Sequence, residues 1–280
     1  MPIVDMQELL TKAREGKFAI GSFNVFNIEM VQGIVAAAEQ HRVPVILALS
    51  ESHIKFSDFD LITFIMKDQA KKSSCPISLQ LDHSKTFKTI KMALDAGFNS
   101  VMFDGYDLPF NEKIKQTAEI VEMAHKNNAL VEAPLGRIST VGKNNEIKYS
   151  HDDITDPGLI EEFVTKTGID ILAVSVGTTH GRNPGESILD YSRLKNICEK
   201  TDAFISLHGG SGVKDKAYRE AINIGVHKIS IFTRVSNAAV NSIIETLKTT
   251  RMRLPELLVE ARKGVTREAG YLMDIFKNDR

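Results

Sequence analysis

Residues 45–49 of this chain are Val45-Ile46-Leu47-Ala48-Leu49, five apolar residues in succession. A later run, Ile171-Leu172-Ala173-Val174, has the same character. Strands that are apolar at every position are buried on both faces, as happens in parallel sheets covered by helices. The two runs therefore predict parallel strands within an α/β fold.

Six similar runs, short and rich in β-branched residues, alternate with longer segments of helical period. The eight runs cover residues 18–25, 44–50, 76–82, 100–105, 129–136, 171–177, 203–209 and 228–233. Between them, helices are predicted from about Phe87 to Gly97, around Ile114–Val121, from Asp156-Pro157 to Gly168, after Asp190 and Asp215, from Val235 to about Leu247, and from Pro255 onward. Eight strand–helix units predict a single-domain (β/α)8 TIM barrel over residues 1–280, in preference to an open doubly wound sheet.

Charge and cysteine content exclude several classes of protein. The chain of 280 residues has 35 Lys and Arg against 36 Asp and Glu, a net charge of −1, which gives no support to a nucleic-acid or membrane partner. The only two cysteines are Cys75 and Cys198, so we do not expect a disulfide scaffold. We expect instead that the protein works in a reducing compartment. Neither a secretory signal nor about 18 successive apolar residues is found. These features predict a cytoplasmic protein that acts on a small metabolite.

Three of the eight histidines end or follow different runs. These are His83, His180 and His208, whereas the other five, His53 among them, lie in predicted helices or loops. The carboxyl ends of barrel strands meet at one rim, where active sites of such barrels lie. A single histidine there commonly satisfies a buried hydrogen bond, but three together favour a divalent metal, Zn²⁺ first, with one coordination position open to substrate.

The segment His208-Gly209-Gly210-Ser211-Gly212 follows the seventh run and precedes a predicted helix. Glycines let backbone N–H groups approach an anion, and a helix N-terminus favours negative charge. Such a turn can also be no more than a tight turn, but barrels commonly bind phosphate after strands seven and eight. The segment therefore predicts a phosphate site, to which Ser230 and Thr233 would add hydroxyl groups.

Asp82 stands directly before His83 and has two interpretations. It could cap the following helix or hydrogen-bond a metal ligand, or it could act as a general acid or base beside the metal. Neighbouring residues of a strand point to opposite faces, so both reach the mouth only if the strand is already ending there.

In their order and spacing, these motifs resemble the class II, metal-dependent fructose-bisphosphate and tagatose-bisphosphate aldolases over nearly the whole chain. The matching segments are residues 22–25, 81–83, 100–105, 131–133, 177–181, 207–212 and 228–233. The length of the chain is more similar to that of the tagatose-type branch than to that of the longer fructose-type branch. The resemblance implies a zinc-dependent, reversible aldol cleavage of a ketose (bis)phosphate, such as tagatose- or fructose-1,6-bisphosphate, to dihydroxyacetone phosphate and an aldehyde.

The resemblance also implies roles for individual residues. His83, His180 and His208 would hold Zn²⁺, and Asp82 would transfer the proton of the C4 hydroxyl. A monovalent cation, Na⁺ or K⁺, would lie near the phosphate, held partly by backbone carbonyls, and the chain would form a homodimer or homotetramer. The dihydroxyacetone phosphate half would be contacted by Gly181, Gly209, Gly210, Ser211, Ser230, Ile231, Phe232 and Thr233.

The chain departs from the family pattern at the substrate and proton-transfer positions. The loop after the fifth run lacks the Glu that serves the family as second proton-transfer group, and Glu146 is a shifted substitute. Tyr106, Pro134, Ser230 and Arg234 replace the family's Ser, Glu, Asn and an acidic residue. The metal ligands are thus intact while the groups around the substrate are altered.

Three alternatives stay open, and the departures motivate the first two. One is an aldolase for a non-standard sugar phosphate, such as a deoxy-keto sugar-acid phosphate, whose polar end would meet Tyr106 and Arg234 at the mouth. Another is a non-catalytic partner subunit that keeps its metal. The third, a Schiff-base aldolase, needs a lysine at the active rim, whereas Lys228 begins its run and is expected at the opposite end of the barrel.

Overall fold

Eight parallel strands form a closed ring at the centre of the structure. The computed structural model describes residues 3–137, 139–140, 153–181 and 187–279. For residues 139, 140 and 180 it describes the backbone and not the side chain. Around the barrel each strand pairs with the next and the last pairs with the first, so the predicted (β/α)8 barrel is confirmed. The barrel strands are β1 (Ile20–Asn24), β2 (Val45–Ser50), β3 (Ile77–Ser84), β4 (Ser100–Phe103), β5 (Leu130–Leu135), β7 (Ile171–Val174), β9 (Phe204–Leu207) and β10 (Val226–Ile231), while β6 (Ser139–Thr140) and β8 (Thr179–His180) pair with each other outside it.

Helices alternate with the strands and surround the barrel. They are α1 (Met6–Gly16), α2 (Ile28–His41), α3 (Phe59–Lys72), α4 (Phe87–Asp95), α5 (Phe110–His125), α6 (Ile160–Thr167), α7 (Tyr191–Cys198), α8 (Asp215–Ile224), α9 (Thr233–Leu247) and α10 (Leu254–Phe276). None of the helices in the described ranges is long and apolar enough to cross a membrane.

Two boundaries differ from the sequence-based expectation. The Asp156 carboxylate accepts from Gly158 N as a cap should, but it opens a 3-10 turn (Pro157–Leu159) and α6 begins only at Ile160. The sixth run was expected to extend to Gly177, yet β7 ends at Val174. Gly177 has φ 107°, and a Cβ there would lie 2.2 Å from the carbonyl oxygen of Ile188, so the chain turns at this point.

The apolar core lies mainly between the barrel strands and the surrounding helices. A smaller apolar cluster lies under the barrel, where Leu9 and Leu10 of α1 pack with Ile20, Ile171 and Phe204 at the strand starts. Helix α1 therefore covers the amino-terminal end of the barrel. The carboxyl-terminal end holds the cleft described below.

Candidate active site

The end of β3 presents two neighbouring polar side chains to one cleft. His83 has φ 50°, a left-handed value that non-glycine residues rarely adopt and that is concentrated at functional sites. The pairing of β3 with β4 also shifts register between Leu81 and Ser84. Because the backbone departs from strand geometry here, Asp82 and His83 both line the cleft, which regular alternation would not allow.

Asp82 is buried at the floor of the cleft. Asn24 Nδ2 donates to its Oδ2 over 2.8 Å, whereas its Oδ1 has no hydrogen-bond partner within the described part of the chain. Burial raises the pKa of the Asp82 carboxyl, but the charges of His83, His208 and Lys228 outweigh it and leave the pKa below its usual value. Asp82 is therefore an ionised carboxylate with one oxygen available to accept a proton.

His83 and His208 face each other. In the neutral form of each ring, the nitrogen on the facing side carries no hydrogen. His83 Nδ1 donates to Asp104 Oδ1 over 2.7 Å, and His208 Nε2 donates to Glu132 Oε1 over 2.7 Å. A carboxylate only accepts, so these bonds leave the lone pairs on His83 Nε2 and His208 Nδ1. Those two nitrogens are 3.1 Å apart. Two lone pairs at this distance repel unless a positive charge lies beside them.

A divalent ion fits this donor set. Two nitrogens bound to one tetrahedral Zn²⁺ at about 2.0–2.1 Å lie roughly 3.3–3.4 Å apart, close to the 3.1 Å observed. Ligand atoms of Asp82, His83 and His208 all lie within 4.8 Å of one another. Burial lowers the pKa of His83, but the Asp82 and Asp104 carboxylates raise it to about 9, so without a metal a proton supplies the positive charge.

The third predicted ligand, His180, is the second residue of β8, whose backbone pairs with β6. The preceding residue, Thr179, lines the cleft together with Asp82, His83 and His208. The backbone therefore brings His180 next to the site, while its side chain lies outside the described part of the structure.

Glu132 lies beneath the site and fixes the orientation of His208. It is fully buried in β5, and besides His208 its carboxylate accepts from Gln80 Nε2 over 2.6 Å and pairs with Lys228 Nζ at 2.8 Å. The pKa of Glu132 is held well below its usual value, since Lys228 and His208 outweigh the effect of burial. Carboxylates that hold a ligating histidine set its ring orientation and raise its basicity.

The expected position of Lys228 is wrong. Strand β10 begins two residues earlier than the predicted run, at Val226, so Lys228 lies within the strand and its side chain is fully buried in the barrel interior. Its Nζ donates to Ser230 Oγ over 2.9 Å and pairs with Glu132. The ammonium is thus committed to the support of the site and does not line the cleft, which removes the basis for a Schiff-base mechanism.

The predicted phosphate residues gather around the same cleft, whose volume is about 230 Å³. Gly209 has φ 65°, and a Cβ there would lie 2.8 Å from the backbone of Thr179, so glycine is required where β8 and the loop after β9 meet. Gly210 is the exception among the predicted contacts: it is buried, does not line the cleft, and its carbonyl accepts from the Tyr218 hydroxyl. The cleft is lined by Gly181, Gly209, Ser211, Ser230, Ile231, Phe232 and Thr233.

Comparison with known proteins places this arrangement in a family. The sequence model described as fructose-bisphosphate aldolase class-II matches residues 4–280. The chain belongs to this family. It is 36% identical over 252 residues to the fructose-bisphosphate aldolase of Geobacillus stearothermophilus, covering 88% of this chain and 86% of that protein.

Further relatives agree with the family assignment. The fructose-bisphosphate aldolase of Staphylococcus aureus (strain Mu50) is 35% identical over 252 residues, covering 88% of this chain and 87% of its own. The crystal structure of the YdjI aldolase from Escherichia coli K12 superposes with a TM-score of 0.86 at 30% identity, covering 98% of this chain and 97% of that one. The predicted family is confirmed, while similarity to the tagatose-type branch stays a prediction.

Two residues that depart from the family pattern do not line the cleft as expected. The Arg234 guanidinium pairs with Glu268 of α10 and its backbone N–H donates to Ser211 Oγ. The Tyr106 hydroxyl is buried without a hydrogen-bond partner in the described residues, and the ring lies 5.7 Å from Lys113 Nζ. Neither contributes to the described cleft. Glu146 lies outside the described residues.

Sequence reasoning missed several residues that the structure adds to the site. Glu132 and Lys228 interrupt apolar strands, and an ionisable residue within a buried strand is a signal that could have identified them. Asn24 is the last residue of β1, and Asp104 lies near the end of the fourth run. The sequence alone indicates no role for either residue. His53, which the sequence places in a predicted helix or loop away from the strand ends, also lines the cleft.

Proposed function

We propose that this chain is a metal-dependent aldolase that reversibly cleaves the C3–C4 bond of a ketose (bis)phosphate to dihydroxyacetone phosphate and an aldehyde. One observation carries the proposal: donor atoms of Asp82, His83 and His208 converge within 4.8 Å in a cleft. Asp82 remains ionised and in place, which favours an enzyme over a non-catalytic partner subunit.

His83, His180 and His208 would hold the metal, for which we propose Zn²⁺. When bound, Zn²⁺ supplies a Lewis acid that stabilises negative charge developing on the ketone oxygen. Glu132 and Asp104 orient two of these histidines through bonds of 2.7 Å. These bonds set the orientation of both rings, as carboxylates do for metal-ligating histidines.

Asp82 would accept the C4 hydroxyl proton as the C3–C4 bond breaks. We assign the proton to Oδ1, because Oδ2 already accepts from Asn24 Nδ2. The hydrogen bond from Asn24 also fixes the carboxylate plane and disfavours its protonation in the resting protein.

The phosphate of the substrate would lie between the loop after β9 and the start of α9. Helix α9 begins at Thr233 and has no side-chain cap from its own N-cap residue. Its dipole favours an anion beside the N–H groups of the first turn other than that of Arg234. Ser211 Oγ accepts from Arg234 N and retains its own hydrogen for donation. Binding energy from the phosphate would hold the reacting carbons over Asp82. We further propose a monovalent cation, Na⁺ or K⁺, bound by carbonyls around Gly181 and Gly209.

The experiment for the reaction is a cleavage assay over fructose- and tagatose-1,6-bisphosphate and other ketose 1-phosphates, with Zn²⁺ and with chelator. We expect activity on at least one substrate, loss with chelator, recovery with Zn²⁺, and loss in Asp82→Asn with metal content unchanged. Cleavage that persists after complete metal removal would contradict the mechanism. Activity restricted to a sugar-acid phosphate would select the non-standard substrate.

We also propose a cytoplasmic homodimer or homotetramer. Cys75 and Cys198 are both free thiols, as suits a reducing compartment. Val240, Ile244 and Leu247 share one face of α9 and are each about half exposed, an apolar stripe typical of a self-association surface. Light scattering on wild type and Ile244→Glu tests it: we expect an oligomer that dissociates in the variant, and a monomeric wild type would refute it.

A further inference from the structure

His53 occupies a fixed position beside the candidate site. It lies in a 3-10 turn (Glu51–Phe56) that follows β2 directly. The Glu51 carboxylate accepts from Ser84 Oγ over 2.7 Å and from Lys85 N over 2.6 Å, so the turn is tied to the end of β3. The His53 side chain lines the cleft with Asp82 and His83. Its place relative to these two residues is therefore set by the fold.

Aromatic rings surround the His53 imidazole. The Phe232 ring centroid lies 4.3 Å from that of His53, and Phe26 and Phe56 lie at 5.8 and 6.2 Å. His53 Nδ1 is buried without a hydrogen-bond partner within the described ranges, so Nε2 is the nitrogen that can meet a ligand in the cleft. A buried polar atom without a partner costs on the order of 1–3 kcal/mol, which is uncommon where a residue serves packing alone.

The charge state of His53 suits acceptance of a proton. Burial lowers its pKa below the ordinary value, and the Asp82 carboxylate, which opposes this, does not outweigh it; the charges of Lys55 and His83 lower it further. The ring is therefore neutral at pH 7, with a lone pair on Nε2 when Nδ1 carries the hydrogen.

The reaction proposed above needs a second proton-transfer group. Among the described residues that line the cleft, the titratable ones are His53, Asp82, His83 and His208. Asp82 is assigned to the C4 hydroxyl, and the two histidines at the cleft floor are assigned to the metal. That leaves His53 as the described group able to exchange a proton with the three-carbon fragment.

We infer that His53 is a catalytic residue that transfers the proton at C3 of dihydroxyacetone phosphate. In the condensation direction, Nε2 takes one hydrogen of C3 as a proton, and the C–H electrons form the enediolate. The aldehyde carbon then forms the C3–C4 bond, and its oxygen takes the proton that Asp82 has first acquired from solvent, which leaves Asp82 ionised as in the resting protein. His53 returns its proton to solvent, so protons balance. In cleavage, Asp82 takes the C4 hydroxyl proton and His53, protonated from solvent, delivers a proton to C3. The inference rests on the proposed function.

Hydrogen exchange isolates this step because it needs no aldehyde and no carbon–carbon bond. Dihydroxyacetone phosphate is incubated in D₂O with the Zn²⁺-loaded protein, and loss of one C3 hydrogen is followed by NMR. We compare wild type, His53→Gln, His53→Phe, which keeps a ring against Phe232, and Glu146→Gln. His125→Gln, the same substitution at an exposed histidine on α5, is the matched control. Zinc content and melting temperature are measured for each protein.

We expect exchange in wild type, a loss on the order of 100-fold in both His53 variants, and little change in the His125→Gln control. Loss of exchange in Glu146→Gln with both His53 variants unaffected would overturn the role of His53. The wild-type exchange rate should fall at acidic pH, and this fall should lie below pH 6.5 because the pKa of His53 is lowered. In His53→Gln the fall should disappear while the zinc content stays constant. Exchange in wild type that His53→Gln leaves intact would overturn the role of His53 and leave the aldolase standing. No exchange in wild type would overturn the aldolase proposal and this inference with it.

Discussion

Replacement of Glu132 by Gln should destabilise the barrel and weaken the metal site together. The Glu132 carboxylate and the Lys228 ammonium are both fully buried and 2.8 Å apart. In Glu132→Gln the ammonium loses its counter-charge. Breaking a buried pair from one side costs about 3–5 kcal/mol. At roughly 2 °C per kcal/mol for a chain of this size, we expect the melting temperature to fall by about 6–10 °C.

The metal site should respond because Glu132 also accepts the His208 Nε2 hydrogen. Loss of a carboxylate that orients a ligating histidine typically lowers metal affinity 10- to 100-fold. Thermal unfolding of metal-free protein measures the first effect, and competition with a zinc chelator measures the second. Because the two assays are separate, loss of stability is not mistaken for loss of affinity.

Two controls isolate the buried charge as the cause. The double variant Glu132→Gln/Lys228→Met removes both charges and should recover most of the lost stability, since uncharged replacements of buried pairs are often neutral. Glu162→Gln breaks an exposed pair with Lys166 and should change the melting temperature by no more than about 1 °C. A Glu132→Gln protein that melts like wild type, or a double variant no better than the single, would refute the reasoning.

Three further outcomes follow from single side chains. His227 accepts from Ile205 N through Nδ1, and burial, with a smaller effect of the Arg14 charge, lowers its pKa to about 4. The unfolded state takes up the proton at a higher pH than the folded state. The free energy of unfolding should therefore fall as the pH drops from about 6.5 towards 4, by about 2 kcal/mol at pH 5. Chemical unfolding should show this fall in wild type and not in His227→Asn. Burial lowers the pKa of Lys113 to about 8, so below that pH its buried charge destabilises the folded state. Lys113→Met should therefore raise the free energy of unfolding at pH 7 by about 1–3 kcal/mol, and a decrease would contradict this. Gly209→Ala forces a side chain against the Thr179 backbone and should lower kcat/KM for the cleaved ketose phosphate by roughly 100-fold with zinc content retained, whereas unchanged kinetics would show that the loop is not held closely.

The barrel could be predicted because its signals are local and repeated. Continuous apolar runs such as residues 45–49 report strands covered on both faces, and Gly168 marks a helix end through its left-handed φ of 70°. Boundaries were harder to place where a tertiary contact decides them, as at Gly177, which turns against the Ile188 carbonyl. No local pattern in the sequence encodes such a contact.

The site could be predicted only in part, for a similar reason. His83 and His208 are visible as polar residues at strand ends, but the positive φ of His83 that brings Asp82 to the same cleft is not. Lys228 was misplaced because the strand begins two residues earlier than predicted, which puts Lys228 inside the barrel, where its long side chain reaches Glu132. His53 was missed because its role depends on the ring of Phe232, which is distant in sequence.

Zinc bound by His83, His180 and His208 is the central claim, and X-ray absorption at the zinc edge tests it most directly. Wild type should bind one Zn²⁺ per chain with imidazole nitrogens at about 2.0–2.1 Å, and His83→Ala, His180→Ala and His208→Ala should each lose tight binding. A wild-type protein that takes up no divalent ion, or zinc coordination unchanged in these variants, would contradict the account.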